Sequence, residues 1–314
     1  MNKFWLYLAL AFVTTTTMFA CSPDNKNQDS AHNVKDNRAS LEQTIEQGST
    51  ADWIKQAKEH AQQTVTAKSL EQMKQELLPH ERVFIPEHGQ APYPVVLFLH
   101  GCSGATATHE QEWAKRYNEI GVAVIAIDSY AGRSTDWNDA CNFTKMTPWE
   151  RSGDIAVIID SLKDRDFADP TQVYLTGFSH GALTIWSFLE QLSQNETPLS
   201  LTQLPEHNYQ NVIKGSFLFY GSCPTEWTVN INTLMLLGDA DRYIDESVCQ
   251  NYAKIHPSNA GNFELVVYPD VTHTFDHAKP NQANVEAGSR YNEAATLDAW
   301  HRIKTIIEAD SNAQ

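Results

Sequence analysis

The sequence predicts an α/β protein with a mostly parallel central sheet flanked by helices, and three observations lead there. Runs such as Pro94-Val95-Val96-Leu97-Phe98-Leu99 and Val122 to Ile127 are apolar throughout, as strands covered on both faces must be. Such runs alternate with segments of helical periodicity, for example Glu110 to Ile120 and Asn292 to Ile307. About 230 residues follow Glu81, enough for one sizeable core, and no internal repeat divides them.

Taken in order, residues 1–20 read as an export signal: a lysine, an apolar stretch from Phe4 to Val13 too short to span a membrane comfortably, and Ala20 at the boundary. Cys21 directly after it resembles the lipidated cysteine of bacterial lipoproteins, although Met18 and Phe19 depart from the residues usual there. Plain cleavage and an uncleaved anchor are the alternatives. Residues 21–40 are a polar tether with Val34 as the single large aliphatic residue. Residues 41–80 form an N-terminal helical extension, with apolar positions at helical spacing, a break at Gly48-Ser49-Thr50 and a stop at Pro79. Each apolar face is thin, so these helices are expected to pack on the main domain, residues 81–310.

Within that domain, strands are expected at Arg82–Ile85, Pro94–Leu99, Val122–Ile127, Val173–Thr176, Val212–Phe219, Thr233–Leu237 and Phe263–Tyr268. Helices are expected at Glu110–Ile120, Thr147–Leu162, Ala182–Leu189, Glu246–Ile255 and Asn292–Ile307. In a sheet of this kind chemistry gathers at the carboxyl ends of the strands.

The net charge of −16 argues against nucleic acid or an anionic membrane surface as partner and says little about the fold. Besides Cys21 there are four cysteines, at 102, 141, 223 and 249. In an exported chain they suggest two disulfides, with three pairings open.

Gly177-Phe178-Ser179-His180-Gly181 sits between a β-branched and aromatic strand and a helical run, the strand–turn–helix context that a Gly-x-Ser-x-Gly motif requires. A turn this sharp needs neighbours without side chains, and the helix beginning at the serine brings unpaired N–H groups suited to an oxyanion. Three further loops follow strands. His100-Gly101-Cys102-Ser103-Gly104 offers main-chain N–H groups, with His100 read as a brace of its turn. Gly238-Asp239-Ala240-Asp241 through Asp245 offers three carboxylates, of which the Gly-x-x-Asp spacing favours Asp241. Pro269 to His277 offers His273 as base; His273 and His277 also read as a His-x-x-x-His pair, but no third metal ligand follows at suitable spacing.

The order Ser179, Asp241, His273 is that of the α/β-hydrolases. Gly-Phe-Ser-His-Gly, Gly-x-x-Asp and Tyr-Pro-x-x-x-His-x-Phe-Asp resemble the dienelactone hydrolase family of that superfamily, from about Arg82 to Ile307. The resemblance implies an α/β-hydrolase fold, Ser179 as nucleophile, Asp241 as acid, His273 as base, and the N–H groups of Cys102 and His180 as oxyanion donors. It implies Cys102–Cys141 and Cys223–Cys249 bridges, since each pair follows neighbouring strands of the family's sheet. It calls for no cofactor and no metal. The founding members use cysteine as nucleophile, so serine here shifts the expectation from a dienelactone to broader carboxylic ester or lactone hydrolysis. Rival readings are a non-catalytic binding protein of the same fold, or a peptidase or acyltransferase using the same residues. Arg133 is expected to orient a substrate carboxylate or to close its own loop through a salt bridge. Arg151 and Asp154, three apart on a helix, are expected to pair, and Trp137, Trp149 and Trp227 fall near the expected mouth, where packing is their commoner use.

Overall fold

A computed structural model describes residues 49–255 and 263–312. The export signal, Cys21, the tether and the helical turns expected between Leu41 and Gly48 lie outside the described residues.

Among the described residues, seven strands form one sheet: β1 (Glu81–Phe84), β2 (Tyr93–Leu99), β3 (Ala123–Ile127), β4 (Ala168–Phe178), β5 (Ile213–Phe219), β6 (Thr233–Gly238) and β7 (Phe263–Tyr268). Their order in space is β1-β3-β2-β4-β5-β6-β7, with β1 antiparallel to β3 and every other pair parallel. The strand period of two divides their side chains between two cores. Val95, Leu97, Leu99, Leu218, Met235 and Leu237 join one, while Val96, Phe98, Phe217, Phe219, Leu234 and Leu236 join the other.

The helices are α1 (Ser49–Thr64), α2 (Leu70–Leu77), α3 (Ala107–Glu119), α4 (Trp137–Cys141), α5 (Pro148–Ser161), α6 (His180–Ser193), α7 (Tyr209–Val212), α8 (Glu246–Ile255), α9 (Gln282–Glu286) and α10 (Glu293–Asn312). Local chemistry sets their starts. Ser69 and Gln72 form a reciprocal capping box for α2. Thr147 accepts from the Glu150 N–H at 3.3 Å and Pro148 occupies the first turn of α5. The short helices α4, α7 and α9 have too few turns to leave an apolar period, and the sequence gives no sign of them.

Every residue of α5 except Glu150 is buried. It packs against α6 on one side and is covered on the other by α1 and α2, whose Ile54, Ala57, Met73 and Leu77 enter the same core. A helix with no solvent face needs such a cover. No helix among the described residues is long and apolar enough to cross a membrane.

Candidate active site

β4 ends at Phe178 and α6 begins at His180, so Ser179 stands alone at the corner. Its backbone lies at φ 52° and ψ −115°, a conformation that costs a side-chain-bearing residue about 1–3 kcal/mol and persists only when its surroundings fix it. They do so here: the Ser179 N–H donates to Phe219 O at 2.9 Å and Ser179 O accepts from the Leu183 N–H at 3.1 Å. The flanking glycines answer to crowding. A Cβ on Gly177 would stand 2.5 Å from the Gly181 backbone, and one on Gly181 would stand 2.2 Å from Leu99 O.

Two loops from the neighbouring strand ends converge on this corner. His273 Nε2 lies 3.0 Å from Ser179 Oγ, and its Nδ1 lies 2.7 Å from Asp241 Oδ2. The other oxygen of Asp241 accepts from the Tyr243 and Ile244 N–H groups at 2.8 and 3.2 Å, which fixes the carboxylate against the imidazole. Of the rival carboxylates, Asp239 accepts from the Asp270 N–H at 2.6 Å and so ties the acid loop to the histidine loop. Asp245 caps α8 through the Ser247 N–H at 3.0 Å.

The loop after β2 passes the serine closely, since a Cβ on Gly101 would come within 3.5 Å of Ser179 Cβ. His100 Nδ1–H donates to Gly101 O at 2.7 Å and its Nε2 accepts from the Ser129 N–H at 3.3 Å, the bracing role expected of it. Burial, with Arg151 beside it, holds its pKa well below the ordinary imidazole value, so the ring is neutral. Cys102 and His180 both line a cavity of about 670 Å³ that opens over Ser179 and His273. The disulfides join Cys102 to Cys141 and Cys223 to Cys249. The first links the loop after β2 to α4.

With this geometry in place, comparisons with known proteins narrow the family. The family model described as "Dienelactone hydrolase family" matches residues 203–310. The fold is similar to that of a Klebsiella pneumoniae subsp. pneumoniae protein assigned as a dienelactone hydrolase, at 20% identity and a TM-score of 0.52, covering 70% of this chain and 88% of that one. It is also similar to a dienelactone hydrolase-like promiscuous phosphotriesterase from metagenomic libraries, at 15% identity and a TM-score of 0.53, covering 73% and 91%. The family likeness in sequence thus covers residues 203–310, and over the rest of the chain the likeness is one of fold. A third similar structure is Thermogutta terrifontis esterase 2 phosphorylated by paraoxon, at 12% identity and a TM-score of 0.55, covering 73% and 88%. Among curated proteins no relative matches.

Two side chains depart from what local spacing suggests. Arg151 does not pair with Asp154. It turns inward, fully buried, and donates from Nη1 to His100 O at 2.7 Å and to His180 Nδ1 at 3.2 Å, and from Nε to Ser129 Oγ at 2.7 Å. Asp154 instead takes a two-pronged ion pair from Arg133, at 2.8 and 3.0 Å. Arg133 therefore closes its loop and is not among the residues lining the cavity. Trp149 and Trp227 are buried in the core, whereas Trp137 is 59% exposed and lines the cavity.

His277 does not join His273 as a ligand pair, because His273 is engaged by Ser179 and Asp241. A different group forms from His109, Asp276 and His277, whose candidate ligand atoms lie within 4.8 Å of one another. It is built as a hydrogen-bond network. Asp276 Oδ2 accepts from His109 Nε2 at 2.6 Å and Trp113 Nε1 at 2.7 Å, and Oδ1 accepts from the Tyr220 hydroxyl at 2.7 Å. Burial opposes the charge on Asp276, but His109 and Tyr220 hold its pKa below the ordinary carboxylate range. His277 stacks on His109 with ring centroids 3.6 Å apart, and burial together with that neighbour lowers its pKa to about 4. The ring of Tyr220 also packs 4.7 Å from that of His273, so one network borders both the cavity and the imidazole.

Proposed function

We propose that this protein is a serine-dependent carboxylic ester hydrolase. The observation that carries the reading is the unbroken line from Ser179 Oγ to His273 Nε2 at 3.0 Å and from His273 Nδ1 to Asp241 Oδ2 at 2.7 Å. In the first half-reaction His273 takes the Ser179 proton as Oγ attacks the ester or lactone carbonyl. The acyl C–O bond breaks, and the imidazolium returns that proton to the departing alcohol. Asp241 keeps the imidazole in the tautomer that presents a lone pair to the serine and stabilises its charged form. In the second half-reaction water, deprotonated by the same ring, attacks the acyl-enzyme and releases the acid. The N–H groups of Cys102 and His180 take the oxyanion in both halves. The matched family and a cavity with no lysine, arginine, aspartate or glutamate among the described residues that line it both support a small-molecule ester substrate.

The test is covalent. A fluorophosphonate probe mimics the tetrahedral intermediate and is expected to label wild-type protein once, on Ser179, in competition with an aryl acetate. The T. terrifontis esterase of the same fold is phosphorylated by paraoxon, which motivates a phosphorus electrophile. Labelling elsewhere, or none, sinks the proposal.

Arg151 has a positioning role in this scheme, because its guanidinium bridges the loop that carries Cys102 to the residue that follows Ser179. Losing one oxyanion donor costs about 10²–10³ in rate, and Arg151→Met is expected to lower kcat toward an aryl acetate by about 10²-fold with KM little changed. Arg151→Lys should recover little, since a compact ammonium cannot span the acceptors that a planar fork reaches. Wild-type kcat in folded Arg151→Met would refute the role.

Two disulfides suit an oxidising compartment, and we extend this to an exported protein tethered by a lipid on Cys21.

A further inference from the structure

The cavity over Ser179 combines three features. Among the described residues that line it there is no lysine, arginine, aspartate or glutamate. The one arginine that the sequence offered for this task, Arg133, is bound to Asp154. A substrate bearing a carboxylate or an ammonium would lose its hydration here and meet no counter-charge, which is costly. This lining favours an uncharged ester over a charged one.

Second, one wall of the cavity carries neutral groups able both to give and to accept hydrogen bonds. Thr106, His277, Asn281 and Asn284 contribute to it. The lowered pKa of His277 leaves its ring neutral at pH 7, with one nitrogen as donor and the other as acceptor. Asp276 holds the partner ring of His109 through a buried bond, so this wall is fixed before any ligand arrives. Hydroxyl groups have the matching dual character, whereas an alkyl chain would strand these groups without water or partner.

Third, two large aromatic side chains stand exposed on the same cavity. Trp137 is 59% and Tyr243 62% exposed. A cluster of exposed apolar surface at a cavity marks a contact site, and flat rings beside a neutral polar wall match a molecule with apolar C–H faces and hydroxyl edges. That is the chemistry of a pyranose or furanose ring. The cavity of about 670 Å³ falls within the range of sites that enclose a ligand of drug-like size, roughly 300–1,000 Å³, and so has room for a sugar with its acyl group.

We propose that the substrate is an O-acylated saccharide, with the sugar as departing alcohol stacked on Trp137 or Tyr243 and hydrogen-bonded along the His277 wall. This rests on the hydrolase reading above. The Ser179 acyl bond forms as the acyl–oxygen bond to the sugar breaks, and the sugar hydroxyl leaves with the proton from His273.

The experiment compares acetate release from an acetylated xylobiose, from butyl acetate and from 4-nitrophenyl acetate. The first two share an acyl group and have unactivated alcohols, so their ratio reports recognition of the sugar. Acetylated xylobiose is expected to exceed butyl acetate in kcat/KM by at least about tenfold, the equivalent of 1.4 kcal/mol. Trp137→Ala and His277→Leu are each expected to lower the ratio of saccharide ester to aryl ester turnover by about tenfold, chiefly through KM. Equal turnover of the two unactivated acetates, or variants that slow all three substrates alike, would overturn the saccharide assignment. Failure of 4-nitrophenyl acetate turnover together with absent fluorophosphonate labelling would strike the hydrolase reading instead.

Discussion

Replacing Ser179 with alanine is expected to lower kcat toward an aryl acetate by about 10⁵- to 10⁶-fold, the scale on which removal of a hydrolase serine acts. One oxygen leaves, and the fold should not notice. Ser179 already carries a Cβ at φ 52°, so alanine adds no new backbone strain, and the thermal midpoint should stay within a few degrees. His273→Ala is expected to cost a similar factor, and the double variant no more than either single one, because the two groups act as a unit. What remains should be the contribution of oxyanion donors and binding, about 10³–10⁴ over water. A folded Ser179→Ala protein retaining more than about a hundredth of wild-type turnover would contradict the scheme.

The next largest effect belongs to Asp241. Its Asn variant keeps nearly the same shape but presents an amide, which favours the imidazole tautomer with its proton facing Ser179. A loss in kcat of about 10⁴ is the expected scale. Two neighbouring carboxylates are the internal controls. Asp239 spends an oxygen on the Asp270 N–H and Asp245 spends one on the Ser247 N–H, so Asp239→Asn and Asp245→Asn should stay within about tenfold of wild type, the scale set by a single lost hydrogen bond. A reversed ranking of these three variants would move the acid to another residue.

The sheet was readable because its strands are apolar without interruption and bounded by turn residues, so type and order followed from local pattern. The corner at Ser179 was readable for a different reason. Gly177 and Gly181 each face backbone at a distance that excludes a Cβ, so the geometry leaves its mark as two glycines in sequence. Arg151 shows where such reading stops. Its spacing from Asp154 fits a helical ion pair, but Arg133, far off in sequence, reaches Asp154 from another loop, and the displaced guanidinium fills a buried position beneath two loops. The Asp276 network lies further still beyond local pattern. His109 and Asp276 are 167 positions apart, and neither residue carries a periodic signal that names the other. Contacts of that separation follow from the packed topology, and they compose the polar wall of the cavity.

The Cys102–Cys141 bridge ties the strip of chain beside Ser179 to the little helix that bears Trp137. On the saccharide proposal, closing this bridge would serve recognition as well as stability. A reduced chain would hold the helix that bears Trp137 to the reacting corner by noncovalent packing alone, and the bridge replaces that with a covalent tie.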